Sequence, residues 1–142
     1  MDYKVSEDVA QATLDALEAE FGTVDAASAE EVYEALRRGL IDFDETTGTL
    51  TYHLQRPPES GSSSLDPTKI VLQEPDAEAM EKLGKAGSFE ASKDGTITAD
   101  GSIVIKQTEA MVVYVGGWPM ALAKRIKRRD LKVLGAITNF FT

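Results

Sequence analysis

Cysteine is absent, which excludes disulfides, thiolate nucleophiles and cysteine-bound zinc or iron–sulfur centres by composition alone. Histidine is nearly absent. His53 is the single copy, so no paired-histidine metal motif exists, and a serine–histidine triad is possible only if His53 takes part. It lies in TLTYHLQ, whose alternation predicts a strand with His53 facing solvent. Long apolar runs are missing as well: nothing approaches the ~20 consecutive apolar residues of a membrane-spanning helix. The opening MDYKVSEDVAQA carries acids and lacks the apolar segment of a secretory signal, so a cytoplasmic protein is expected. Neither a cofactor nor a metal is expected.

What remains is ordinary globular material. A chain of 142 residues, 42% hydrophobic and 27% charged, has the size and composition of one compact domain. Its net charge of −9 is unevenly spread. Residues 1–48 hold 13 acids and three bases, a balance of −10, and residues 49–117 stand at −4. Residues 118–142 stand at +5, because Lys124, Arg125, Lys127, Arg128, Arg129 and Lys132 face only Asp130. An acidic body repels a polyanion before contact forms, so nucleic-acid binding over the whole surface is disfavoured. The basic run KRIKRRDLK is either a solvated helix face, a local phosphate contact or a partner for the acidic N-terminal part.

Periodicity predicts an α+β fold: an N-terminal helical part with a β-hairpin, short strands, and a C-terminal helical part. The first helix is expected over residues 6–21, capped by Ser6, with Val9, Leu14, Leu17 and Phe21 on its apolar stripe and Gly22 closing it. A second is expected over about residues 29–38, with Ser28 and Glu31 in capping-box spacing and Gly39 as its stop. Ile41 and Phe43, then Leu50, Tyr52 and Leu54, alternate around DETTG and predict a hairpin. Asp42, Asp44 and Glu45 lack the spacing of a calcium loop and read as turn formers.

RPPESGSSSLDP, residues 56–67, predicts a flexible loop between an acidic segment 1–55 and a second part 68–142, all of which can belong to one domain. KIVLQ is a strand candidate, after which Asp76 caps a helix to about Ala86 that is expected to bury Met80 and Leu83. Residues 87–105 form an insertion with Asp-Gly pairs at 94–95 and 100–101, consistent with a small hairpin excursion or a loop. From residue 106 the chain suits helices, although Val112, Val113, Tyr114 and Val115 also suit a buried strand. Pro119 fits the first turn of one helix and Asp130 the cap of the last, which would line up Leu131, Leu134, Ile137 and Phe141.

The stations LQEP at 72–75, the following helix DAEAMEKLGKA, GWP at 117–119, RRDL at 128–131 and NFF at 139–141 occur in an order that resembles phage tail assembly chaperones. The resemblance covers about residues 49–142 and includes the paired strands TLTYHLQRP and KIVLQEP. It implies a non-enzymatic protein of the bacterial host cytoplasm that coats a phage or prophage tape-measure protein during tail assembly. The expected partners are therefore the tape-measure or another tail protein, together with further copies of the chain, and neither nucleic acid nor membrane.

Trp118, Met120, Phe140 and Phe141 are the candidate partner-binding residues, with core packing as the alternative for each. Lys124, Arg125, Lys127, Arg128 and Arg129 are the candidate basic patch. A second functional class is a small nucleic-acid-associated regulator in which residues 6–54 mimic a winged helix. The −10 balance of residues 1–48 weighs against it, since a recognition helix must lie against phosphates.

Overall fold

The computed structural model describes residues 3–59, 64–86 and 101–142. Among these, six helices pack with a three-stranded antiparallel sheet, an α+β fold. Helix α1, Glu7–Phe21, begins where Ser6 Oγ accepts the Val9 N–H, and Glu7 and Asp8 sit at the positive end of its dipole. It buries Ala10, Leu14 and Leu17. Val9, expected on that stripe, is instead 56% exposed, because one residue is about 100° of helix and carries it off the 10–14–17 row.

Helix α2, Ala26–Arg37, starts about three residues earlier than expected. Its cap is Asp25, which accepts from the Ser28 backbone at 3.1 Å and from Ser28 Oγ at 2.6 Å. Ser28 is thus a donor inside the first turn rather than the cap. Those two bonds hold the Asp25 carboxyl below the usual carboxylate range, the Ser28 hydroxyl contributing most.

The hairpin forms as the alternation predicts. Strand β1, Ile41–Asp44, pairs with β2, Thr49–His53, placing Ile41 opposite Tyr52 and Phe43 opposite Leu50. Asp44 organises the turn: its carboxylate accepts the Thr46 N–H and its carbonyl accepts the Gly48 N–H, with Gly48 at φ 69° where a side chain would be strained. Strand β3, Lys69–Leu72, adds to the free side of β2. Ile41, Leu50, Tyr52, Ile70 and Leu72 face the core, whereas Asp42, Thr51, His53 and Val71 lie on the outer face. There His53 Nε2 meets Asp42 Oδ2 at 2.7 Å.

Helix α3, Ala77–Ala86, is started by Asp76, whose carboxylate accepts the Ala79 N–H at 2.8 Å. It buries Ala79 and Leu83, and Met80, expected inside, is 57% exposed. The i,i+4 pair Ala79–Leu83 meets α4, which turns Met80 outwards.

Helix α4, Gly101–Tyr114, corrects the expectation of a loop or hairpin through residue 105. Gly101, expected in the second Asp-Gly turn, is its first residue, and the β-prone Val112–Val113 segment is helical too. Packing against α3 and against the last helix outweighs local strand preference here. The first Asp-Gly pair, at 94–95, and residues 60–63 of the expected flexible loop lie outside the described residues.

Two glycines then reverse the chain. Gly116 runs so close to α4 and the sheet that a Cβ would stand 2.6 Å from the Val112 carbonyl oxygen and 3.0 Å from Ile70 Cγ2. Pro119 precedes the short helix α5, Met120–Ala123, and α6, Arg128–Thr138, closes the fold. One hydrophobic cluster joins Leu14 and Leu17 of α1, Leu36 of α2, the sheet, Met111 of α4 and Leu134 and Ile137 of α6.

Candidate functional site

Asp130 is the side chain that sequence reasoning placed wrongly. Because α6 begins at Arg128, Asp130 lies within its first turn rather than at its cap. It is fully buried, accepting from the Tyr52 hydroxyl at 2.7 Å, the Gln55 N–H at 2.8 Å and the Arg56 N–H at 3.0 Å. A carboxylate removed from water needs such partners, and these three donors come from the end of β2. Burial, and then the bond to Asp130, push the Tyr52 hydroxyl well above its ordinary pKa. Asp130 therefore fastens the sheet to α6.

Three of the four candidate partner-binding aromatic and methionine residues are interior. Trp118 is 3% exposed, and Phe140 and Phe141 are 4% exposed each. The Phe141 ring lies 4.8 Å from Phe21, which in turn lies 5.9 Å from Phe43. Met120, at the start of α5, is exposed.

Phe140 and Phe141 lie together with Phe21, Pro75 and Met80, a group that includes neither Trp118 nor Met120. The group lines a crevice of about 200 Å³ to which Glu20 and Glu74 also contribute. Met80 is the surface residue of the group. Sequence reasoning assigned it to the core, so its place here was missed; no local pattern separates a core Met from a surface Met one residue along a helix.

The basic candidates are all exposed. Lys124 lies 3.7 Å from Glu109, whereas Arg125, Lys127, Arg128 and Arg129 have no carboxylate partner among the described residues. Arg129 points elsewhere than the run suggests. With Lys132 and Val133 of α6 it lines a cleft of about 390 Å³ whose other wall is Glu31 of α2, Arg38 just past the end of that helix, and Gln55. Arg38 Nη2 donates to Gln55 Oε1 at 2.8 Å. Arg38 was absent from the predicted patch, since 91 positions separate it from Arg129 and only the packing of α2 on α6 brings them together.

Among the described residues, no cluster of three His, Asp or Glu side chains is placed to hold a metal. No helix among them is long and apolar enough to cross a membrane. The chain has no counterpart among protein-family models, characterised proteins or solved structures. Function is therefore read from the two surface features, the aromatic crevice and the cationic cleft.

Proposed function

We propose that this protein is a phage or prophage tail assembly chaperone, acting without catalysis by holding a tape-measure protein soluble while the tail is built. Support comes from the places the resembling stations occupy. LQEP ends β3 and leads into α3. GWP turns α4 into α5, with Gly117 at φ 74°. RRDL opens α6 and supplies the buried Asp130. In NFF, Asn139 Nδ2 donates to Ser28 Oγ at 2.7 Å, and both phenylalanines are interior. Residues with such structural duties are the ones that a shared fold retains.

The surface best suited to a long amphipathic chain is the crevice of Phe21, Pro75, Met80, Phe140 and Phe141. Its aromatic floor can take an apolar side chain from a helix. Glu20 and Glu74 beside it suit basic residues flanking that side chain. A winged-helix regulator gains no comparable support, because the exposed side of α1 carries Glu7, Asp8, Asp15 and Glu20.

Co-expression with the tape-measure protein of the same phage or prophage tests the proposal. The expected result is a soluble complex that the change Met80→Glu weakens without altering the thermal midpoint. A tape-measure chain that stays insoluble in the presence of this protein, or a gene neighbourhood without tail genes, overturns it.

A further inference from the structure

We infer that the cleft between α2 and α6 is an oxyanion site, built to take a carboxylate or phosphate group between the guanidinium groups of Arg38 and Arg129 with Lys132 beside them. This stands independently of the tail-assembly proposal. The cleft has about 390 Å³ of room, enough for such a group and its hydration. Three cations and one acid line it, so its local balance is +2 in a protein whose net charge is −9. The single acid, Glu31, lies 3.7 Å from Lys132. Neither Arg38 nor Arg129 has an ion-pair partner among the described residues.

Arg38 is also held in place. One of its terminal nitrogens donates to Gln55 Oε1 at 2.8 Å, and Gln55 is itself fixed through its backbone N–H to buried Asp130. A guanidinium has five N–H donors in a planar fork, and the bond to Gln55 uses one of them. The remaining donors match the paired oxygens of a carboxylate or phosphate, and a pre-positioned fork loses little freedom when it binds. Asp130 does not compete with an incoming anion as an acceptor for Arg38, since its oxygens are taken up by Tyr52 and the backbone of residues 55–56.

Amide and arginine side-chain NMR shifts, recorded at low salt during titration, test the site. The probes are inorganic phosphate and, separately, a short blocked poly-glutamate peptide. Saturable shifts centred on Gln55, Arg38 and Arg129 are expected with one or both probes. Response to phosphate alone would identify a phosphate site, and response to the peptide alone a carboxylate site on a protein partner.

Arg38→Gln and Arg129→Gln should each weaken binding about tenfold by removing charge-assisted hydrogen bonds, and Glu31→Gln should tighten it about two- to fivefold by removing the one repulsive charge. Arg129 is exposed, so its variant remains informative if Arg38→Gln perturbs folding. Linear, unsaturating shifts spread evenly over residues 124–132, or binding unchanged by Arg129→Gln and Glu31→Gln, would overturn the inference.

Discussion

Replacing Asp130 with alanine strips three donors of their shared acceptor: the Tyr52 hydroxyl and the Gln55 and Arg56 N–H groups. The Tyr52 hydroxyl lies in the interior and cannot turn to water, so it loses about 1–3 kcal/mol. The two N–H groups are part-buried and can recover some hydration, adding roughly 1 kcal/mol together. Relief of the cost of burying the carboxylate offsets part of the total. A net loss of about 2 kcal/mol follows, equivalent to a fall of about 6 °C in the thermal midpoint for a chain of this length.

Tyr52→Phe should cost less, about 1–2 kcal/mol, because the carboxylate keeps both backbone donors. The double variant should then fall short of the sum of the single losses by about 1 kcal/mol, since both changes remove the same bond. Urea unfolding followed through Trp118, the single tryptophan and a buried one, measures all three variants. A loss below 1 kcal/mol for Asp130→Ala, or fully additive losses in the cycle, would refute the view that Asp130 fastens the sheet to α6.

The remaining expectations concern packing, backbone and pH. Phe141→Ala should cost about 3–4 kcal/mol by leaving a cavity beside Phe21, whereas Met80→Ala should change stability by less than about 0.5 kcal/mol; urea midpoints of the two variants check this contrast. Gly116→Ala should cost roughly 1–3 kcal/mol, because the added methyl meets the Val112 carbonyl and Ile70, and the larger Gly116→Val should cost more. The depressed carboxyl of Asp25 contributes stability that is present above the ordinary carboxylate range and is lost as pH falls through its folded-state value. The thermal midpoint of Asp25→Ala should therefore lie below that of the unaltered protein at pH 6, with the gap closing as pH drops below about 4. A gap that persists undiminished at pH 2 would contradict that linkage.

Much of the architecture was determined by short-range chemistry and was open to reading from the residues alone. Ser6 before α1, Asp76 before α3, the Asp44–Gly48 turn and the period-two alternation of Ile41, Phe43, Leu50 and Tyr52 act within a few positions of themselves. Their effects do not depend on what the rest of the chain does. The oppositely charged ends were equally plain, being sums over residue types.

Tertiary structure decided what depends on distant neighbours. The β-prone Val112–Val113 segment of α4 is helical because α3 and α6 offer that helix a surface to pack on. The same packing settled that Ala79 and Leu83 turn inwards while Met80 faces out, and that Phe140 and Phe141 lie in the core with only a crevice beside them. Asp130 meets Tyr52 across 78 positions, and Arg38 meets Arg129 across a cleft between two helices. A carboxylate's role is set by the donors that surround it after folding, and an arginine's by the charges it is left without. Neither is a property of the local sequence.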